Sequence, residues 1–425
     1  MKRLLSLLVS AAVLAAAGLG GCSKTETAAT PELKGAAKQD QINRGRYLAA
    51  AGDCYACHTV RGSPDYAGGL EMPTPFGKLY TPNITPDPEF GIGKWSADDF
   101  WASMHDGKSK DGSFLYPAMP FTNYTKVTRE DSDAIYAYMM SVKPVNVKSK
   151  PHAMGFPYNQ RELLAGWRTL YFKEGVYKDN PEKSKEWNRG AYLVEGLGHC
   201  DACHSSRNML GAVSGDDVSG GLIPLQNWYA PSLASSRESG LGDWEIKDIV
   251  DLLRTGVAQR GAVFGPMAAV VQHSLQEMSM VDLTAMATYL KAQNEKKESK
   301  PLLHSGPPEA LTAAMMKTGA KVYKDHCEAC HQADGTGVPH IYPPLNNNQA
   351  LTMRNPVNAI RLVLNGGFPP STEGNPRPYG MPPFYQDLTD EQVAAVVTYL
   401  RQSWGNNAPP TWPVEVERSR GIPVD

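Results

Sequence analysis

The sequence shows no dominance of one charge: 42 Lys and Arg stand against 44 Asp and Glu, a net charge of −2. No basic stripe runs along the chain, which removes the electrostatic footprint of a nucleic-acid binder. Cysteine is scarce, with seven in 425 residues. That is too few for a disulfide scaffold of this length. No apolar run past the N-terminus is long enough to cross a bilayer. With 41% hydrophobic and 20% charged residues, the chain reads as soluble and globular, long enough for two to four domains.

The N-terminus has the layout of an export signal. Met1-Lys2-Arg3 is basic, Leu4 to Leu19 is apolar, and Gly20-Gly21-Cys22 follows. Small residues directly before a cysteine resemble a bacterial lipoprotein signal, cleaved before Cys22, whose sulfur is then diacylated. An ordinary signal peptide with an incidental cysteine is the alternative. On the first reading 1–21 is the signal, 22–40 a polar tether, and the protein a periplasmic lipoprotein held to the membrane through Cys22.

The other six cysteines form three pairs: Cys54 with Cys57, Cys200 with Cys203, and Cys327 with Cys330. They sit in CYACH, CDACH and CEACH, ending at His58, His204 and His331. The pattern C-x-x-C-H marks attachment of a c-type haem. Two thiols on one helical turn meet the two vinyl groups of one porphyrin, and the next histidine lies under the iron. A redox dithiol or a zinc half-site would explain one pair, but not three pairs each with its histidine.

Flanking segments repeat in register. A short helical segment precedes each motif, and an extended loop with a proline follows: Pro82, Pro231 and Pro344. A helix ending at Gly107, Gly256 or Gly366 comes next. An amphipathic helix closes each copy, with a cap at Thr128, Ser279 or Thr389 ten residues before Tyr138, Tyr289 or Tyr399. Asp131, Asp282 and Gln392, three residues past the caps, approximate capping boxes.

A haem iron held by one histidine keeps a second face. Met119, Met267 and Met381 each lie 11–15 residues past the helix-ending glycine, flanked by proline or glycine. A thioether held there closes the iron and suits it to electron transfer. His273, downstream of Met267, is the alternative ligand of the second copy. A backbone carbonyl beside Pro82, Pro231 and Pro344 would accept the other N–H of each histidine; ordinary turn prolines are the alternative.

The stretches RGRYLAAAGDCYACHT, TPNITPD, GAYLVEGLGHCDACH, YAPSLASS, GLGDWEIKDIVDLLRTG and YGMPPFYQDLTDEQVAAVVTYLR carry a resemblance, as does GWRTLYF between the first two copies. From Arg44 to Trp404 the chain resembles the triheme cytochrome c subunits of bacterial membrane-bound dehydrogenases. That resemblance implies three cytochrome c folds, histidine–methionine ligation, and the carbonyl role for Pro82, Pro231 and Pro344. It also implies a flavin- or pyrroloquinoline-quinone-dependent catalytic subunit as electron donor and ubiquinone as acceptor.

The expected architecture is all-α, with three tandem cytochrome c domains at 41–145, 187–295 and 313–405. Linkers fall at 146–186 and 296–312, and a polar tail at 406–425. The expected role is an electron relay carrying three covalently bound c-type haems, without substrate chemistry of its own. Two rivals are a multihaem peroxidase, which needs an open iron, and a cytochrome serving a terminal oxidase or a molybdenum hydroxylase.

Overall fold

The computed structural model describes residues 35–213, 218–223, 225–234, 239–293 and 307–422. Cys22, the signal and most of the tether lie outside them. Among the described residues no helix is long and apolar enough to cross a membrane.

The sequence repeat is a structural repeat. Each copy opens with a helix: Ala36–Ala51, Lys185–Tyr192 and Glu309–His326. The C-x-x-C-H residues form one helical turn, at Cys54–His58, Asp201–His204 and Glu328–His331, with Cys200 and Cys327 as the caps of the last two. Next come Ala97–His105, Ile246–Thr255 and Val357–Asn365. Gly107 (φ 60°), Gly256 (φ 77°) and Gly366 (φ 64°) follow those helices at positive φ, where a side chain would be strained. The closing helices are Arg129–Met139, Met280–Gln293 and Asp390–Gln402.

Opening and closing helices cross at a glycine in every copy. A Cβ on Gly45 would lie 1.8 Å from Ala134 O, one on Gly190 2.0 Å from Ala285 O, and one on Gly319 2.2 Å from Ala395 O. Only a residue without Cβ lets the backbones approach so closely. The in-register Tyr138, Tyr289 and Tyr399 flank the same three crossings. The spacing from this glycine to the motif histidine is 13, 14 and 12 residues in the three copies. The second copy, with the longest spacing, absorbs its extra residue as a π-helical turn at Leu193–Leu197, where Gly198 N donates to Leu193 O at 2.7 Å.

The fold is mainly helical, and its loops add a few short strands. Short antiparallel strands stand in the loops: Glu71–Thr74 pairs with Gly77–Tyr80, which pairs with Ala153–Met154. Gly221–Ile223 pairs with Trp228–Ala230, and Val257–Ala258 with Gly261–Ala262. These strands have two to four residues, too few to show an alternating pattern in sequence.

The segment 406–425 carries the helix Pro413–Arg420, begun by proline at its first position. Val416 of that helix is buried in the core of the third copy, so part of this segment packs there. The linker 146–186 carries the helix Leu164–Tyr171. The first and second copies share one hydrophobic core, running from Leu48 to Leu290, whereas the third has its own, from Met315 to Val416.

Candidate haem-attachment sites

Each motif histidine is oriented by one backbone carbonyl. His58 Nδ1 lies 2.8 Å from Pro82 O, and His204 Nδ1 lies 2.7 Å from Pro231 O. In the third copy the acceptor is Pro343 O at 3.0 Å, not Pro344. Two adjacent prolines made the position ambiguous, and the third loop is shorter: 12 residues separate histidine and acceptor there, against 24 and 27. Pro344 O instead accepts from Asn348 Nδ2 at 2.6 Å. With a carbonyl as partner, Nδ1 must carry the proton, which leaves the Nε2 lone pair free for a metal. Burial lowers the pKa of all three histidines, partly offset by these bonds, and so favours the neutral ring.

Burial pushes the thiols of Cys54, Cys57 and Cys200 up to about 12 and that of Cys327 to about 11; Cys203 is also raised. Identical motifs in sequence treat the six cysteines alike, but the structure gives Cys330 different surroundings. Cys330 is half-buried on the third turn, its N–H donating to Cys327 O at 3.2 Å. The Tyr342 side chain stands beside its thiol, and the phenol's pKa is raised chiefly by that neighbour. Tyr342 stands in the short loop that also supplies Pro343, so the loop length that moved the histidine's acceptor also brings a phenol onto Cys330.

The motif residues of different copies do not converge on one ion. Among the described residues, the group of His, Cys, Asp and Glu close enough to share one is His105, Asp106 and Glu174. The six cysteines form no disulfide. A neutral imidazole beside two thiols on one turn is the donor set that a covalently held haem requires.

The three methionines are placed by the glycine that follows the preceding helix. Leu115 N donates to Gly107 O at 2.9 Å, and Val263 N donates to Gly256 O at 2.8 Å. Met119 and Met267 each lie four residues beyond those bonds. In the third copy Met381 itself pairs with Gly367, its N–H donating to Gly367 O at 2.8 Å. Met119 and Met267 pack on the shared core together with Cys54 and Cys200, and Met381 packs with Cys327 on the third core. His273 is placed elsewhere. Its ring lies 5.2 Å from that of Tyr55, inside the motif of the first copy.

Sequence reading missed the contacts between copies. Tyr124 of the first copy donates to Gly52 O at 2.7 Å and meets the His199 ring of the second edge-on at 5.7 Å. Asn123 Nδ2 donates to Glu195 O at 2.9 Å and to Asp201 Oδ1 at 2.7 Å. The amide and carboxylate pairings here involve residues 72 and 78 positions apart, with no local signal.

Comparison with known proteins agrees with this geometry. The cytochrome c family model matches residues 42–143 and 316–404. The chain is 40% identical to an alcohol dehydrogenase (quinone), cytochrome c subunit, of Gluconobacter oxydans, over 90% of this chain and 83% of that one. It is 40% identical to a gluconate 2-dehydrogenase cytochrome c subunit of Pantoea cypripedii, over 87% of each. It is also 41% identical to one of the subunits of nicotinate dehydrogenase from Pseudomonas putida, over 89% of this chain but 32% of that longer protein. The chain therefore belongs to the cytochrome c family, alongside the cytochrome c subunits of dehydrogenases, and its role is electron transfer rather than substrate catalysis.

Proposed function

We propose that the chain carries three covalent c-type haems, one per repeat, and passes electrons from a periplasmic dehydrogenase catalytic subunit to ubiquinone. The observation that carries this reading is the threefold recurrence of one arrangement. A C-x-x-C-H turn has its histidine bonded to a proline carbonyl, with a methionine set by the glycine after the next helix. Haem supplies one-electron chemistry, so a two-electron oxidation elsewhere would be divided into single steps. The protein residues fix its surroundings. Cys54 with Cys57, Cys200 with Cys203, and Cys327 with Cys330 would hold it covalently. His58, His204 and His331 would supply the strong axial ligand, with the tautomer set by Pro82, Pro231 and Pro343. Met119, Met267 and Met381 would supply the weak one, which raises the potential and closes the iron to peroxide.

The catalytic partner in this reading is a flavin- or pyrroloquinoline-quinone-dependent alcohol- or gluconate-type dehydrogenase, in line with the relatives at 40% identity. The nicotinate dehydrogenase relative favours a second reading, in which a dehydrogenase of that kind is the donor. Co-purification from membranes decides between them through the identity of the large subunit. Mass spectrometry of the mature chain should give three haem additions; two or fewer after full maturation would overturn the count. Lipidated Cys22 is the proposed anchor, since one acyl chain binds only marginally and diacylglycerol supplies two. Cys22→Ser should release the protein from membranes in the absence of its partner. Retention as firm as in the parent would place the anchor elsewhere.

A further inference from the structure

We infer that the first two repeats act as one two-centre unit, in which Tyr47 and Tyr192 are positioning residues, and that the third repeat is a separate one-centre unit. This rests on the haem reading above and adds an order to the three sites.

The caps of the closing helices carry the observation. In the third repeat the capping box is complete within itself. Gln392 N donates to Thr389 Oγ1, and Thr389 N donates to Gln392 Oε1 at 2.9 Å. In the first repeat Asp131 N donates to Thr128 Oγ1, but Thr128 N donates to the hydroxyl of Tyr192, from the second repeat, at 3.2 Å. That hydroxyl in turn donates to Asp131 Oδ2 at 2.6 Å. The second repeat mirrors this. Ser279 N donates to the hydroxyl of Tyr47, from the first repeat, at 3.2 Å, and Tyr47 donates to Asp282 Oδ2 at 2.6 Å. Each aspartate is also held by an arginine of its own repeat, Arg44 on Asp131 and Arg189 on Asp282. Each repeat thus finishes the other's helix cap, the reciprocity of a two-fold interface within one chain.

The attachment turns follow the same exchange. Tyr55 of the first turn packs on His273, from the helix that carries Met267. Asp201 of the second turn accepts from Asn123, four residues past Met119. Each turn therefore rests on the methionine segment of the other repeat, inside one shared core. The third repeat lacks the set: lysine stands at position 321, where Tyr47 and Tyr192 stand two residues past their crossing glycines. It meets the second repeat through contacts such as Tyr229 N to Asn358 Oδ1 at 2.9 Å and Trp244 Nε1 to Gln349 Oε1 at 2.7 Å.

Two charge-changing centres in one low-dielectric core feel each other's oxidation state. Reduction of one then opposes reduction of the other, to a degree set by how rigidly they are held. The test is the double variant Tyr47→Phe/Tyr192→Phe in the full mature chain, which removes two hydroxyls and keeps both rings. Redox titration resolved by haem, with pulsed EPR of the ferric centres, reads the result. In the parent, the first and second centres should titrate with a mutual shift and a narrow spin–spin distance. In the variant that shift should shrink and the distance distribution broaden, while the third centre keeps its potential. Thr389→Ala, a cap loss inside the third repeat, should leave the pair's shift intact. An unchanged shift and distance in the double variant overturns the inference, as does an equal change at all three centres. Mass spectrometry of the same preparation separates the two readings. Three haems with unchanged coupling defeat the pairing alone, and fewer than three defeat the proposed function together with the pairing.

Discussion

Replacing Gly319 by alanine sets two physical effects against each other. Within the helix Glu309–His326, alanine is favoured over glycine by about 0.8–1 kcal/mol of intrinsic propensity. The new Cβ, however, would stand 2.2 Å from Ala395 O and 2.7 Å from Tyr399 Cβ. Both neighbours belong to the packed closing helix, and one is backbone, so neither can swing aside. The helices must part by about 1 Å, and overpacking of this kind costs about 1–3 kcal/mol. Taking the upper half of that range, because backbone meets backbone, the net loss is about 1–2 kcal/mol. The third repeat has its own core, so its melting should be separable from that of the shared core. At about 4–8 °C per kcal/mol for a domain of this size, its transition should fall by about 5–15 °C. Scanning calorimetry of the full chain reads the shift. Gly166 serves as the control: it also lies in a helix, Leu164–Tyr171, with nothing within 4 Å of its Cβ position, so Gly166→Ala should not destabilise. A Gly319→Ala chain melting at or above the parent would refute the close-crossing account.

Other outcomes follow from the same geometry. Met119→Ala, Met267→Ala and Met381→Ala should each remove a share of the methionine-to-iron absorption at the red edge of the oxidised spectrum; an unchanged spectrum would reassign that ligand. Arg401 is buried and donates to Leu351 O and Met353 O at 2.9 Å and to Pro409 O at 3.0 Å. Arg401→Met strands those carbonyls and should destabilise the third repeat by about 3 kcal/mol in chemical denaturation, leaving the shared core unaffected. Burial raises the pKa of Asp282, but bonds from Arg189 and Tyr47 outweigh it, so its carboxyl titrates below its ordinary range. Its contribution is therefore present above the unfolded value of about 3.9 and is lost as pH falls through the lower folded value. Stability curves of the parent and Asp282→Asn should differ at neutral pH and converge in acid.

Much of the site was legible because its chemistry is local. Two cysteines and a histidine within five residues need no tertiary information to be read. Helix caps and helix-ending glycines gave the register that singled out Met119, Met267 and Met381, since backbone conformation at those points depends on neighbouring residues. What escaped was contact across distance. Tyr47 and Tyr192 lie in the helical segments before their motifs with no local signal of their partners, yet their hydroxyls act on helix starts 232 and 64 residues away. The aspartates at 131 and 282 looked like imperfect capping boxes; the shorter side chain leaves room for a tyrosine from the neighbouring repeat. The partnership of Cys330 with Tyr342 escaped too, because it depends on how the third loop folds back and not on the motif itself. The helix Pro413–Arg420 was hidden by polar composition, because a single fully buried side chain, Val416, carries much of its docking.

The exchanged caps also bear on when each part of the chain can finish folding. Tyr47 lies near the start of the chain, and its partner Ser279 comes 232 residues later, so this contact forms only after the whole second repeat has been delivered. Contacts of such sequence separation form slowly, because the intervening loop must close first. The first closing helix likewise starts with an unfinished N-terminus, because Tyr192 follows its Thr128 by 64 residues, and the CYACH turn waits for the surface of the helix Pro266–His273 that will cover Tyr55. During that interval Cys54 and Cys57 are less enclosed than in the finished fold. The delay keeps open a period in which covalent attachment at the first site can precede closure of the shared core, whereas the third repeat, capped by its own Gln392, can close as soon as it is made.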